Sequence, residues 1–163
     1  MTLNEIQSNR ARCLILACGN TLRGDDGIGP WLAQWAEERF GAHGEVRVVA
    51  SQQWTLELVD EVARAESVLF IDCSADAEPG AISVTPVQAG ADSFGLATHH
   101  LGASELMAVA RDLYSSLPRA AVLLTVGAGS LELGEEFSEP VKAAVPVACA
   151  KVEETVVRLL AKE

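Results

Sequence analysis

The chain has 163 residues, 49% of them apolar and 21% charged, with a formal net charge of −11. That length and balance describe an ordered globular chain with material for one sizeable core. The acidic field excludes nucleic acid and anionic membrane as partners, and no apolar run reaches the ~20 residues needed to cross a bilayer.

The opening MTLNEIQSNRAR lacks the apolar core and small-residue cleavage site of a secretory leader. Residues 1–11 read as a flexible segment ahead of a single domain, the whole spanning 1–163. Cys13, Cys18, Cys73 and Cys149 form no C-x-x-C pair, and three lie in or beside buried-looking segments. Reduced thiols and a cytoplasmic location are therefore expected.

Arg12 to Cys18 (RCLILAC) is apolar without alternation, the pattern of a strand covered on both faces. After a glycine-rich turn, Ile28, Trp31, Leu32, Trp35 and Ala36 form one helical stripe, with Pro30 in the tolerant first turn. Gly41 and Gly44 close that helix, leaving His43 as an exposed loop residue. Glu45 to Ala50 makes a second strand. A helix over Thr55 to Arg64 should bury Leu56, Val59 and Ala63, and Ser67 to Asp72 (SVLFID) repeats the design of the first strand. Ala81 to Val87 follows too closely for a parallel crossover and reads as antiparallel. A loop over Gln88 to His100 leads to a helix over Leu101 to Tyr114, with Leu106, Val109, Ala110 and Leu113 inward. Ala120 to Val126 is the last apolar strand. An acidic loop, read as solvated, precedes a helix over Glu139 to Ala161, capped by Ser138 and kinked or split by Pro146. Trp31, Trp35 and Trp54 read as packing residues.

Strands alternating with helices, three of them continuously apolar, specify a doubly wound α/β sheet. Right-handed crossovers set the second strand beside the first and the third on its other side. Ligands bind such sheets beyond the strand carboxyl ends, at the switch point between strands one and three. The loop Gly19-Asn20-Thr21-Leu22-Arg23-Gly24-Asp25-Asp26-Gly27 leaves strand one there, and Asp72 ends strand three. One of Asp25 and Asp26 can cap the following helix, which leaves the other for chemistry. Two carboxylates repel a phosphate, and neither a Walker nor a dinucleotide fingerprint is present, so a cation is the expected occupant. His99 and His100 follow a loop long enough to return to this crevice. An Asp, Asp, His set suits nickel, zinc or a similar borderline ion. Cys73, beside Asp72, reads as a small buried hydrophobe, since strand neighbours face opposite ways. No serine lies in a nucleophile-elbow context.

GNTLRGDDGIG after an apolar strand, then FIDCSADAEPG, then THHLG, resemble the hydrogenase maturation proteases (hydrogenase-specific endopeptidases). The likeness runs from about Arg12 to the final helix. It implies an α/β domain whose twisted five-stranded sheet is mostly parallel, with one antiparallel strand and helices on both faces. It also implies a nickel-dependent endopeptidase of the aspartic or metal-assisted kind. Such an enzyme removes a C-terminal extension from the precursor of a [NiFe]-hydrogenase large subunit after nickel insertion.

By position, the implied metal ligands and catalytic groups are Asp26, Asp72 and His99, with the nickel contributed by the substrate. Asp25 and His100 are auxiliary, and Gly19, Asn20, Gly24 and Gly27 shape the loop. The first-loop ligand is Glu in some members and Asp here, and adjacent His100 leaves two imidazoles for one position. A monomer is expected. The same three ligands would also serve an accessory protein that senses or delivers nickel and docks on the precursor without cutting it.

Overall fold

Strand β1 (Cys13–Cys18) is fully buried and has a neighbouring strand on each side. The architecture comes from a computed structural model, which describes residues 10–91 and 101–161. In chain order β1 is followed by helix α1 (Ile28–Phe40), β2 (Val46–Ser51), α2 (Val59–Arg64), β3 (Ser67–Ser74) and β4 (Ile82–Pro86). Then come α3 (Ala103–Tyr114), β5 (Ala120–Gly127) and α4 (Glu139–Leu160).

The five strands lie in the order β2-β1-β3-β5-β4. β1 pairs in parallel with both β2 and β3, and β3 with β5. β4 joins β5 antiparallel, as its short connection to β3 requires. This is the expected mostly parallel sheet with one antiparallel edge.

Alternate residues of β1 feed two cores. Cys13, Ile15 and Ala17 pack with α1 and α4, including Ile28, Leu32 and Val152. Leu14, Leu16 and Cys18 pack on the other face with α2 and α3, including Val62 and Leu106, and with Trp54 of the segment after β2. A strand buried on both faces has no polar position to spare, which explains the unbroken run in the sequence. Trp54 stands edge-on to Phe70, with centroids 5.3 Å apart.

Several sequence expectations need correction. Trp31 (41%), Leu56 (62%) and Leu113 (70%) are substantially exposed. Each sits at the flank or end of its apolar stripe, where periodicity does not say how far the neighbouring element reaches. α4 runs unbroken through Pro146. That residue lies on the exposed face, where water can serve the carbonyl its missing N–H would have met. β3 continues two residues past Asp72, because Asp72, Cys73 and Ser74 keep pairing with Thr125, Val126 and Gly127 of β5 after β1 has ended. Arg10 and Ala11, at the end of the segment read as flexible, are tied to Arg64 and Glu66. No helix among the described residues is long and apolar enough to cross a membrane.

Candidate functional site

The loop after β1 turns sharply at Gly19, whose φ of +151° suits glycine alone, and a Cβ there would overlap the Asp26 carbonyl oxygen. Asn20 then stabilises the turn twice. Its side-chain Oδ1 accepts the Leu22 N–H at 2.9 Å, and its own N–H donates to Asp26 Oδ2 at 2.6 Å. Gly24 takes φ +56°, with space for a Cβ closed by the Ser130 carbonyl at 2.8 Å. Gly27 has ordinary helical angles; its place in the loop reflects close packing on Thr21 rather than backbone freedom. Residues Gly24–Gly27 form a short 3-10 turn that runs into α1.

The two adjacent aspartates have separate fates. Asp25 is completely buried. Its Oδ2 accepts the N–H groups of Gly129 (2.7 Å) and Ser130 (2.9 Å) and the Ser138 hydroxyl (2.6 Å), while Oδ1 accepts the Ser138 N–H at 2.7 Å. Burial opposes its charge, but the Ser138 hydroxyl and the three amides outweigh it and hold the carboxyl below its ordinary range. A carboxylate so fully engaged has little left for a cation. The cap expected at α1 is absent, for Gly27 at its N-terminus receives no side-chain bond. Asp25 instead serves the residue that opens α4, and the Ser138 hydroxyl, expected to cap α4, points to Asp25.

Asp26 is half-buried, and the only hydrogen bond its carboxylate receives among the described residues is the one from Asn20. Asp72 is likewise half-buried, and its Oδ1 accepts the Cys73 N–H at 2.7 Å. The Cys18 thiol donates to the same carboxylate. These two residues occupy the next register step after the Ala17–Ile71 pair, on the sheet face that carries α2 and α3. Burial pushes the Asp72 carboxyl up, Cys18 and the Cys73 amide partly counter it, and the nearby Asp26 charge raises it further. Burial with the Asp26 and Asp72 charges lifts the Cys73 thiol to about 12, and Cys18 rises by the same causes. Both thiols are therefore neutral at physiological pH and poor metal ligands as they stand.

The structure thus sets Asp26 and Asp72 just past the carboxyl end of β1, where β3 runs on beyond it, close enough to feel each other's charge. Among the described residues no three His, Cys, Asp or Glu side chains are arranged to hold a metal ion. His99 and His100 lie outside the described residues. Helix α3 begins at Ala103 on the face that bears Cys18 and Asp72. His43 closes a 3-10 turn beyond α1; its side chain lies outside the description.

Sequence reasoning missed the partner of this loop. Residues 128–138 are not merely solvated acidic coil. Gly24 N–H bonds the Gly134 carbonyl, Gly134 N–H the Leu22 carbonyl, and Asp25 N–H the Ser130 carbonyl. Gly127-Ala128-Gly129 directly after an apolar strand was the available signal, marking backbone that another segment approaches closely.

No protein-family model matches the chain, and no curated protein matches it either. Solved structures do. The hydrogenase maturating endopeptidase HybD from E. coli superposes with a TM-score of 0.72 at 20% identity, covering 90% of this chain and 93% of that one. The hydrogenase 2 maturation peptidase from Thaumarchaeota archaeon SCGC_AB-539-E09 is 26% identical with a TM-score of 0.65, over 92% and 99% of the two chains. The [NiFe] hydrogenase maturation protease HycI from Thermococcus kodakarensis KOD1 is 23% identical with a TM-score of 0.66, over 97% of each. The resemblance drawn from the sequence motifs is matched by a shared α/β fold.

Proposed function

We propose that the chain shares the activity of these neighbours as well as their fold. On this reading it is an endopeptidase that trims a C-terminal extension from the precursor of a [NiFe]-hydrogenase large subunit once nickel has been inserted. The observation that carries the reading is the division of labour between the paired aspartates. Asp25 is saturated by hydrogen bonds, whereas Asp26 and Asp72 keep acceptor capacity beside each other at the switch point.

Nickel arrives in this scheme as part of the substrate. Asp26 and Asp72, with His99, offer two carboxylates and one imidazole, a set suited to a borderline ion and too small to satisfy it alone. Bound nickel supplies Lewis acidity toward a peptide carbonyl. The chain's own groups do the rest. Asn20 holds the Asp26 carboxylate at the loop, and Cys18 with the Cys73 amide orients Asp72. The mutual repulsion of Asp26 and Asp72 is relieved when a cation sits between them. Because recognition runs through the ion, an empty precursor presents nothing for the three residues to grip.

The test is incubation of nickel-loaded and nickel-free precursor side by side, read by mass. Shortening of the loaded form alone is expected. Equal cutting of both would make the trio a self-contained hydrolase site. Tight binding without shortening would assign the chain to nickel sensing or delivery.

A further inference from the structure

A groove of about 370 Å³ opens between the start of α1 and the loop 131–137, lined by Gly27, Pro30, Trp31, Glu135 and Phe137 among others. Gly27 directly follows Asp26, so the groove borders the proposed site. The other described cavities open around Arg10 and Arg47, at the amino end of the strands. Trp31 is 41% exposed here, and Leu22 (54%) and Leu133 (89%) stand out on the two segments that frame it. An indole and two leucines left in water beside a cleft signal something that covers them.

Charge decides what that is. The segments Thr21–Gly27 and Leu131–Phe137 carry five carboxylates (Asp25, Asp26, Glu132, Glu135, Glu136) against the single cation Arg23. Glu132, Glu135 and Glu136 are exposed, and none forms an ion pair among the described residues. The walls are held apart rather than free to collapse. Backbone bonds between Leu22 or Gly24 and Gly134 lock the loop 131–137 to the aspartate loop, and the buried Asp25 carboxylate anchors its far end at Ser138.

We propose that this groove seats an extended segment of the precursor in which an apolar side chain is flanked by lysine or arginine. The apolar side chain lies against Trp31 and Phe137, and the cations meet Glu135 and its neighbours. The volume falls at the low end of ligand pockets (roughly 300–1,000 Å³), which admits one or two side chains of a strand and not a folded domain. This assignment rests on the endopeptidase reading and gives it a second point of contact, independent of nickel, that sets the direction in which the chain crosses Asp26 and Asp72.

The experiment is an NMR titration of the full chain with a short synthetic peptide carrying one leucine flanked by lysines, against a twin with glutamates in place of the lysines. The lysine peptide should shift the Trp31 indole N–H and the Gly27 amide, and the glutamate twin should not. Binding should weaken with added salt, and Trp31→Ala and Glu135→Lys should each weaken it about tenfold. Equal shifts with both peptides, or none at Trp31 and Gly27 with either, would overturn the assignment. Since the titration needs no cleavage, its failure is separable from failure of precursor processing.

Discussion

Asp25 accepts both the backbone N–H (2.7 Å) and the hydroxyl (2.6 Å) of Ser138, a residue 113 positions away. One buried carboxylate thereby ties the loop after β1 to the loop before α4, and the candidate site is built on that tie.

Removing this carboxylate should cost stability first and activity as a consequence. Asp25→Ala leaves four donors without their acceptor, and a loss on the order of 3–5 kcal/mol is expected. Asp25→Asn should lose less, about 2 kcal/mol, since one oxygen still accepts. Chemical denaturation of the two variants against the parent checks this. A change under 1 kcal/mol for both would show that the clasp is incidental.

The pH dependence of stability follows with a definite sign. The folded Asp25 carboxyl sits below its unfolded value of about 3.9. Its contribution is therefore complete above that value and is lost as pH falls through the folded one. Denaturation midpoints between neutrality and strong acid should drop for the parent, and the drop below pH ~4 should shrink in Asp25→Asn.

Asp72 should behave in the opposite way. Its folded carboxyl is raised by burial and by Asp26, so its contribution is fullest below the unfolded value and declines as pH rises through the folded one. At neutral pH the ionised group is a local cost. Asp72→Asn should leave the unfolding midpoint equal or higher while abolishing precursor processing. Asp26→Asn should also abolish processing, with a stability cost of ~1 kcal/mol from the altered bond to Asn20. Retained processing in either variant would remove that residue from the site.

The four thiols should be inert in the native chain. Burial lifts Cys13 to about 11 and Cys73 to about 12, and also raises Cys18 and Cys149. Iodoacetamide at neutral pH should label the folded protein slowly and all four positions at once on unfolding. A single fast native thiol would contradict the local electrostatics.

Gly19→Ala should be among the most damaging small changes in the molecule. Positive φ and the Asp26 carbonyl both oppose the added methyl, which predicts a loss on the order of 3 kcal/mol or more. Gly134→Ala shares a positive φ (+147°) but meets no atom within 4 Å. It should cost less, and parallel melts of the two variants separate strain from clash.

The sequence by itself determined the strands, the antiparallel edge and the crevice. Unbroken apolar runs such as Leu14 to Ala17 can be satisfied only by a sheet covered on both faces. The chirality of crossovers then leaves one place for β3, and Asp26 and Asp72 follow to the crevice where β1 ends. These are consequences of short-range pattern and chain connectivity. What tertiary structure decided is which of two adjacent aspartates is free, because that depends on Gly129, Ser130 and Ser138 returning from beyond residue 128. It also decided that Trp31, Leu56 and Leu113 stay in water. Periodicity is a relation among residues three or four apart, whereas burial and hydrogen bonding depend on whatever arrives from the far end of the chain.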